Sequence, residues 1–351
     1  MRALIFADAH LHNYQQHSIV LPNGNNSRLQ DGLDAIQQIE TYAKAYGIEL
    51  IIFVGDVFQS RGLVSVSVFN QTFEAFERLS KVAELLMVVG NHDLASMFGN
   101  VHSIKTFSRF AEVIDEPRAV KKLGIDFCGI PFSNRAEDVR EIIKQMAERP
   151  NPKVLLLHQG IDGAFALGDI TLYESLKKDD LMWRNFEYVF SGHYHMRQWL
   201  GFNSMYIGCT YPLTFADVGN KKGFLDVNFR NKTVKFVEVN APKFVHVEWK
   251  DFKEGKSNVW DAIEGNIVKV FVRDGTNIEE VKQTFAAVKP RSIVVEVEKP
   301  ISFQKRTELS ISMGTDELIE KYVRSDVVNV EGFDVEELIK VGREIVRTSE
   351  Q

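Results

Sequence analysis

Glu84-Leu-Leu-Met-Val-Val-Gly-Asn-His-Asp93 decides the fold: a β-rich run ends abruptly in a glycine, an amide, an imidazole and a carboxylate. The same arrangement recurs four times. Arg2 to Ala7 leads into Asp8-Ala-His10, Glu49 to Val54 into Gly55-Asp56, Lys153 to Leu157 into His158-Gln159, and Tyr188 to Phe190 towards Gly192-His-Tyr-His195. Between the first two strands Leu29, Leu33, Ile36, Ile39 and Ala43 recur at helical spacing, and Phe69, Phe73, Phe76 and Leu79 do so before the third. Both stripes read as core, because an aromatic run at that spacing is helix packing rather than a ligand box. Short β-runs alternating with amphipathic helices predict an α/β unit.

In such a unit the carboxyl ends of the strands converge on one crevice, so five clusters at five strand ends can meet although nearly 190 residues separate them. Within Asp8-x-His10 and His193-x-His195 an extended backbone would send both members to one face. The candidate ligands are Asp8, His10, Asp56, Asn91, His158, His193 and His195. Carboxylates, imidazoles and one amide, with no thiolate, suit Mn²⁺, Mg²⁺, Fe²⁺ or Zn²⁺ and do not resemble a structural zinc site. Seven ligands are too many for one ion and suffice for two if a carboxylate bridges, for which Asp56 is the choice. Two such ions clamp a phosphate and activate a water, so the implied reaction is hydrolysis of a phosphate ester.

His92, one residue out of phase with Asn91, points towards substrate and is assigned to protonating or steadying the leaving oxygen. Asp93 is placed to orient it. His12 continues the face of His10, where it would touch substrate or the outer shell of the site. His17, His102 and His246 read as surface or satisfied core residues.

The bulk numbers narrow the partners. With 351 residues, 44% hydrophobic and 26% charged, the chain reads as a large catalytic unit with something smaller appended. A net charge of -6 excludes a grip on nucleic acid by overall positive charge, so any DNA affinity leans on metals or a partner. The apolar run at the N-terminus stops at Asp8, too short for a signal-peptide core or a membrane span, and a cytoplasmic location is expected. Cys128 and Cys209 form no metal or redox spacing and read as buried thiols.

Beyond residue 200 the runs Ser204 to Gly208, Gly223 to Asn228 and Thr233 to Val239 form a β-rich finish to the first domain. Asn240-Ala-Pro-Lys243 marks a boundary. Ile267 to Arg273, Glu279 to Val288 and Ser292 to Val297 predict a small β-α-β module, and Asp316 to Tyr322 and Asp334 to Val346 predict two helices with acidic starts. The expected divisions are 1–240, 241–300, and a linker with helices over 301–351. In the last helix Leu338, Ile339, Val341, Ile345 and Val346 supply apolar surface, for its own domain or for docking elsewhere.

The five clusters, in this order, resemble the signature of the calcineurin-like metallophosphoesterases. Tyr206-Ile-Gly-Cys-Thr-Tyr-Pro-Leu-Thr-Phe-Ala-Asp217, followed by Lys222-Gly-Phe224, and the run Gly55-Asp-Val-Phe-Gln-Ser-Arg61 are similar to SbcD-type DNA nucleases within that superfamily. His12-Asn13 and Cys209-Thr210 depart from the usual pattern. The resemblance implies a four-layer α-β-β-α sandwich with a small α+β capping domain and C-terminal helices. It assigns Asp8, His10, Asp56 and His195 to one metal, Asp56, Asn91, His158 and His193 to the other, and His92 to catalysis. It further implies two Mn²⁺ ions, with Mg²⁺ as the alternative, exonuclease and endonuclease action on DNA in repair, recombination or phage replication, a homodimer, and a complex with an SbcC-type, SMC-like ATPase, for which the helix at Asp334 is the candidate contact. The competing expectations are a two-metal phosphoesterase of small substrates or phosphoproteins, and a non-enzymatic scaffold; retention of every candidate ligand with His92 and Asp93 speaks against the last.

Overall fold

Strand β1 (Arg2–Phe6) turns Ala3 and Ile5 to one side and Leu4 and Phe6 to the other, and each set enters a different apolar core. The computed structural model describes residues 1–96, 101–167, 170–171, 174, 176–255, 262–298, 315–324 and 334–349. After β1 come α1 (Ser27–Tyr46), β2 (Leu50–Val54), α2 (Val66–Ser80), β3 (Glu84–Val88), β4 (Glu112–Ile114), β5 (Arg118–Lys122), β6 (Ile125–Ile130) and α3 (Ala136–Ala147). There follow β7 (Lys153–His158), β8 (Phe165–Leu167), β9 (Ile170–Thr171), β10 (Tyr188–Gly192), β11 (Gln198–Gly201), β12 (Ser204–Tyr206), β13 (Gly223–Asn228) and β14 (Thr233–Glu238). The remainder is β15 (Phe244–Glu248), α4 (Trp249–Lys253), β16 (Ile267–Arg273), α5 (Ile278–Ala286), β17 (Ser292–Glu298), α6 (Thr315–Val323) and α7 (Val335–Ser349).

Two six-stranded sheets carry the site, in the orders β14-β13-β1-β2-β3-β4 and β11-β12-β10-β7-β6-β5. Strands β1 to β4 are mutually parallel, as are β12, β10, β7 and β6; antiparallel strands complete the ends. The pleat sorts the side chains. Ile5, Ile52, Val54, Leu86 and Val88 meet Phe127, Val154, Leu156 and Phe190 between the sheets. Phe6, Phe53, Leu85 and Met87 face Ile36, Ile39 and Phe76 of α1 and α2, while Leu155 and Leu157 face Val139 and Ile143 of α3. This gives four layers, α-β-β-α, with three dry interfaces. Strands buried on both faces must be apolar throughout, which is why β2 reads Leu-Ile-Ile-Phe-Val.

Caps set the helix starts. Asn26 accepts from the backbone N–H groups of Arg28 and Leu29, at 2.9 and 3.2 Å, and α1 ends on Gly47 in the left-handed conformation. Phe69 meets Phe107 edge-on, and Phe73 meets both Phe107 and Phe110 edge-on, in the helix-side core, as their spacing predicts. Both cysteines are buried and free; burial pushes the Cys128 thiol up to about 11. β4, β5, β6, α3 and β11 are additions to the sequence reading. β5, Arg118-Ala-Val-Lys-Lys122, is an edge strand whose polar residues mask it, although the i, i+4, i+8 stripe Val139, Ile143 and Ala147 in α3 is legible.

The chain divides into two compact units, Met1–Val297 and Glu298–Gln351. In the first, β15, β16 and β17 form a third sheet over a core of Val268, Val270, Phe252 and Phe285. The expected β-α-β order is extended by β15, parallel to β16, and by the short helix α4. Arg291 fastens this module to α1, pairing with Asp31 at 2.6 Å and donating to the Ser27 carbonyl at 2.9 Å. Phe215 lies against Phe244 and His246 of β15. In the second unit, α6 and α7 are tied by Arg343 to Glu320 at 2.9 Å and by Arg324 to Glu336, with Ile339 buried. Residues 301–314 of the expected linker and the side chains of Ile345 and Val346 lie outside the described residues. No helix among the described residues is long and apolar enough to cross a membrane.

Leu156 is fully buried between the two large sheets. Leu156→Ala is expected to lower the unfolding free energy by about 2–5 kcal/mol, read by urea denaturation. A loss below about 1 kcal/mol would mean that the sheets do not share this core.

Candidate metal centre

The carboxyl ends of β1, β2, β3, β7 and β10 bring the seven candidate ligands together. His158, the last residue of β7, is fully buried, and its Nδ1–H donates to the Val54 carbonyl at 2.8 Å. That bond turns Nε2 inward. It meets Asn91 Oδ1 at 3.0 Å, Asp56 Oδ2 at 3.3 Å and Asp8 Oδ1 at 4.0 Å, all of them acceptors. Asn91 Oδ1 also faces His193 Nδ1 at 2.9 Å. A second group gathers around His10, whose Nε2 lies 3.0 Å from His195 Nε2, 3.5 Å from Asp56 Oδ2 and 3.8 Å from Asp8 Oδ1. Asp56 Oδ2 is thus common to both groups. Lone pairs converging this closely repel unless positive charge lies among them.

The titration behaviour has the same cause. Burial, reinforced by the charge of Asp56, pushes Asp8 up to about 8, although His158 pulls the other way. Burial alone would also lift Asp56, but the charge and hydrogen bond of His158, with help from His10, hold it well below the usual carboxylate range. Against burial, Asp56 and Asp8 raise His158 to about 9. Burial and neighbouring imidazoles keep His10 well below its ordinary value, and burial brings His193 down to about 3 and His195 to about 4. Three of the imidazoles therefore stay neutral and offer lone pairs, while Asp56 and Asp8 keep positive charge on His158. Oxygen and imidazole nitrogen donors without thiolate fit a pair of divalent ions.

The backbone supplies the convergence differently from the expectation of extended i, i+2 pairs. Asp8, His10, Asp56 and His193 have φ values of 52°, 42°, 64° and 96°, in the left-handed region that L-residues avoid. Each such residue costs on the order of 1–3 kcal/mol and persists only where the surroundings hold it. Here Asp8 N–H donates to the Gly55 carbonyl at 2.9 Å, His10 N–H to the Asp56 carbonyl at 3.1 Å, and His193 N–H to Asp8 Oδ1 at 3.1 Å. Gly192 is required by close approach, since a Cβ there would lie 2.2 Å from the Val54 carbonyl and 2.7 Å from His158 Nδ1.

Asp93 corrects the sequence reading. It does not orient His92. Buried, it accepts from three backbone N–H groups: Gly90 at 2.9 Å, Asp56 at 3.0 Å and Val57 at 2.9 Å. It braces the β2 and β3 loops against each other, and burial with the nearby Asp56 charge pushes it up to about 7. His92 is held instead by the Gln59 carbonyl, 2.6 Å from Nδ1, while its backbone N–H donates to Asp56 Oδ1 at 2.7 Å. A ring nitrogen of His92 comes within 4.8 Å of donor atoms of His10 and Asp56. No side-chain pattern announces Gln59, because it acts through its carbonyl.

The other histidines belong to none of these donor groups among the described residues. His12 is half-buried against Tyr14 and Ser60 Oγ, the latter 3.3 Å away. His17 contacts Ser292 Oγ at 3.2 Å, His102 lies 3.5 Å from Asp115, and His246 stacks on Phe215. Lys222 is buried against Asp217 and the His195 carbonyl, which its place in Lys221-Lys222-Gly223 conceals, since paired lysines read as surface charge.

A sequence profile of the calcineurin-like phosphoesterases matches residues 1–205. No curated protein matches the chain. Among solved structures, a Thermus thermophilus protein is 11% identical with a TM-score of 0.44, covering 68% of this chain and 99% of its own. A dimetal phosphatase from Danio rerio is 10% identical with a TM-score of 0.43, covering 64% and 91% respectively. For a purple acid phosphatase from yellow lupin (Lupinus luteus) seeds the values are 14%, 0.44, 65% and 49%.

Asp93→Asn turns one carboxylate oxygen into an N–H₂ facing backbone donors. It is expected to cost about 1–3 kcal/mol of stability by thermal or urea unfolding. Unchanged stability together with a rate defect would restore Asp93 to an orienting role.

Proposed function

The chain belongs to the calcineurin-like phosphoesterase family, and from that premise we propose that it is the Mn²⁺-dependent nuclease subunit of a DNA-processing complex. One cation would be held by Asp8, His10, Asp56 and His195, the other by Asp56, Asn91, His158 and His193. The observation that carries this assignment is Asp56 Oδ2, 3.5 Å from His10 Nε2 and 3.3 Å from His158 Nε2. When bound, such a pair polarises the phosphate, lowers the pKa of a water and stabilises the attacking and leaving oxygens.

The chain's own residues do the rest. Asp8 steadies the His193 loop by accepting its N–H. His92, anchored through Nδ1 by Gln59, carries its transferable proton on Nε2 and gives it to the leaving oxygen. Hydrolysis of a DNA phosphodiester, rather than of a small ester, is supported by the likeness of Tyr206 to Phe224 to SbcD-type nucleases and by the three-stranded module fastened beside that segment. A net charge of -6 leaves DNA affinity to the metals and to a partner. That partner is an SbcC-type, SMC-like ATPase, and the active form is a homodimer, as the same likeness implies. Helix α7, where Val341 is 45% exposed, is the docking candidate.

Linear duplex DNA should be degraded with Mn²⁺, more weakly with Mg²⁺, and not at all after chelation. Turnover of phosphoprotein or small phosphodiesters without any DNA cleavage would replace the nuclease by a phosphoesterase of those substrates. His92→Ala should slow cleavage roughly 10²- to 10⁴-fold while two ions remain bound, measured by metal analysis beside single-turnover rates; loss of an ion instead would make His92 a ligand. Truncation before Asp334 should weaken co-purification with the ATPase, and undiminished association would move the contact elsewhere.

A further inference from the structure

The carbonyl of His195 accepts two hydrogen bonds, from the Cys209 N–H at 3.1 Å and from Lys222 Nζ at 2.7 Å. Lys222 is 4% exposed and pairs with Asp217 Oδ1 at 2.5 Å. The other oxygen of Asp217 accepts from the backbone N–H groups of Leu213 and Thr214, at 2.9 and 3.0 Å. The ammonium thus connects the turn at Thr214 to Asp217 with the peptide that carries a metal-facing imidazole.

Burying such a pair is expensive, and for stability alone two apolar side chains of similar volume serve as well or better. An apolar pair cannot hold a carbonyl. The bond to the His195 carbonyl acts on the backbone of the residue whose Nε2 must stay 3.0 Å from His10 Nε2. The backbone in front of it is already strained at His193, so it needs an anchor on its far side.

We propose that Lys222 and Asp217 are positioning residues that hold His195 in register for the cation on the His10 side. The proposal rests on the two-metal reading above. It assigns no contact with substrate to either residue: Lys222 acts through the His195 carbonyl, and Asp217 fixes Lys222.

The test is calorimetric titration of Mn²⁺ into the full-length protein, with thermal unfolding alongside, for the wild type, Lys222→Met and the double variant Lys222→Met/Asp217→Asn. The double variant removes both charges and keeps an acceptor for Leu213 and Thr214, so it carries the test even where the single variant does not fold. The expected result is a folded double variant in which one of two binding events weakens about 10- to 100-fold and the other is unchanged. A residue serving stability alone would not separate the two events. Wild-type affinity at both sites in the folded double variant overturns the positioning role and leaves the metal reading intact. Failure of the wild type to bind two ions overturns both.

Discussion

Charge placed in a dry interior is the constraint on which the rest of this structure depends. Asp8, Asp56 and Asp93 are buried, and among the described residues the ion-pair partners of Asp8 and Asp56 are histidines. Carboxylates so situated must protonate, pair or bind cations. Asp93 is answered by three backbone N–H groups, whereas Asp56 keeps one oxygen aimed inward, at the Nε2 atoms of His10 and His158. The site is assembled for positive charge from outside the chain.

That assembly is held by the sheets. Parallel strands β1, β2 and β3 end side by side, as do β7 and β10, and the dry core between the sheets sets the two strand-end groups against each other. Positive φ at four ligand positions would be costly in isolation. It is sustained here because backbone bonds between loops leave little room to relax, and because Gly192 lets the β10 loop approach the Val54 carbonyl. Rigidity in the layers is converted into precision at the ligands.

Much of this is legible without coordinates. The apolar runs end in chemistry five times, and those ends do meet in space. Helical stripes such as Leu29 to Ala43 and Phe69 to Leu79 lie in the core as their spacing requires. Less legible are edge strands such as β5, where Arg118 and Lys122 fall on one face and Lys121 on the other and so hide the period-two pattern. The role of Asp93 is misread for a related reason: adjacency to His92 suggests contact, but neighbouring residues on a tight loop point different ways.

By itself, then, the order of residues determined the α/β class, the seven converging donors and the kind of ion they suit, because strand-end position and donor chemistry are local properties. Only the tertiary structure decided that Gln59 rather than Asp93 holds His92, and that Lys222 is buried behind His195. Those facts depend on backbone carbonyls and N–H groups brought together from distant segments, and every residue but proline carries the same pair, so nothing in the side-chain sequence distinguishes the ones that matter.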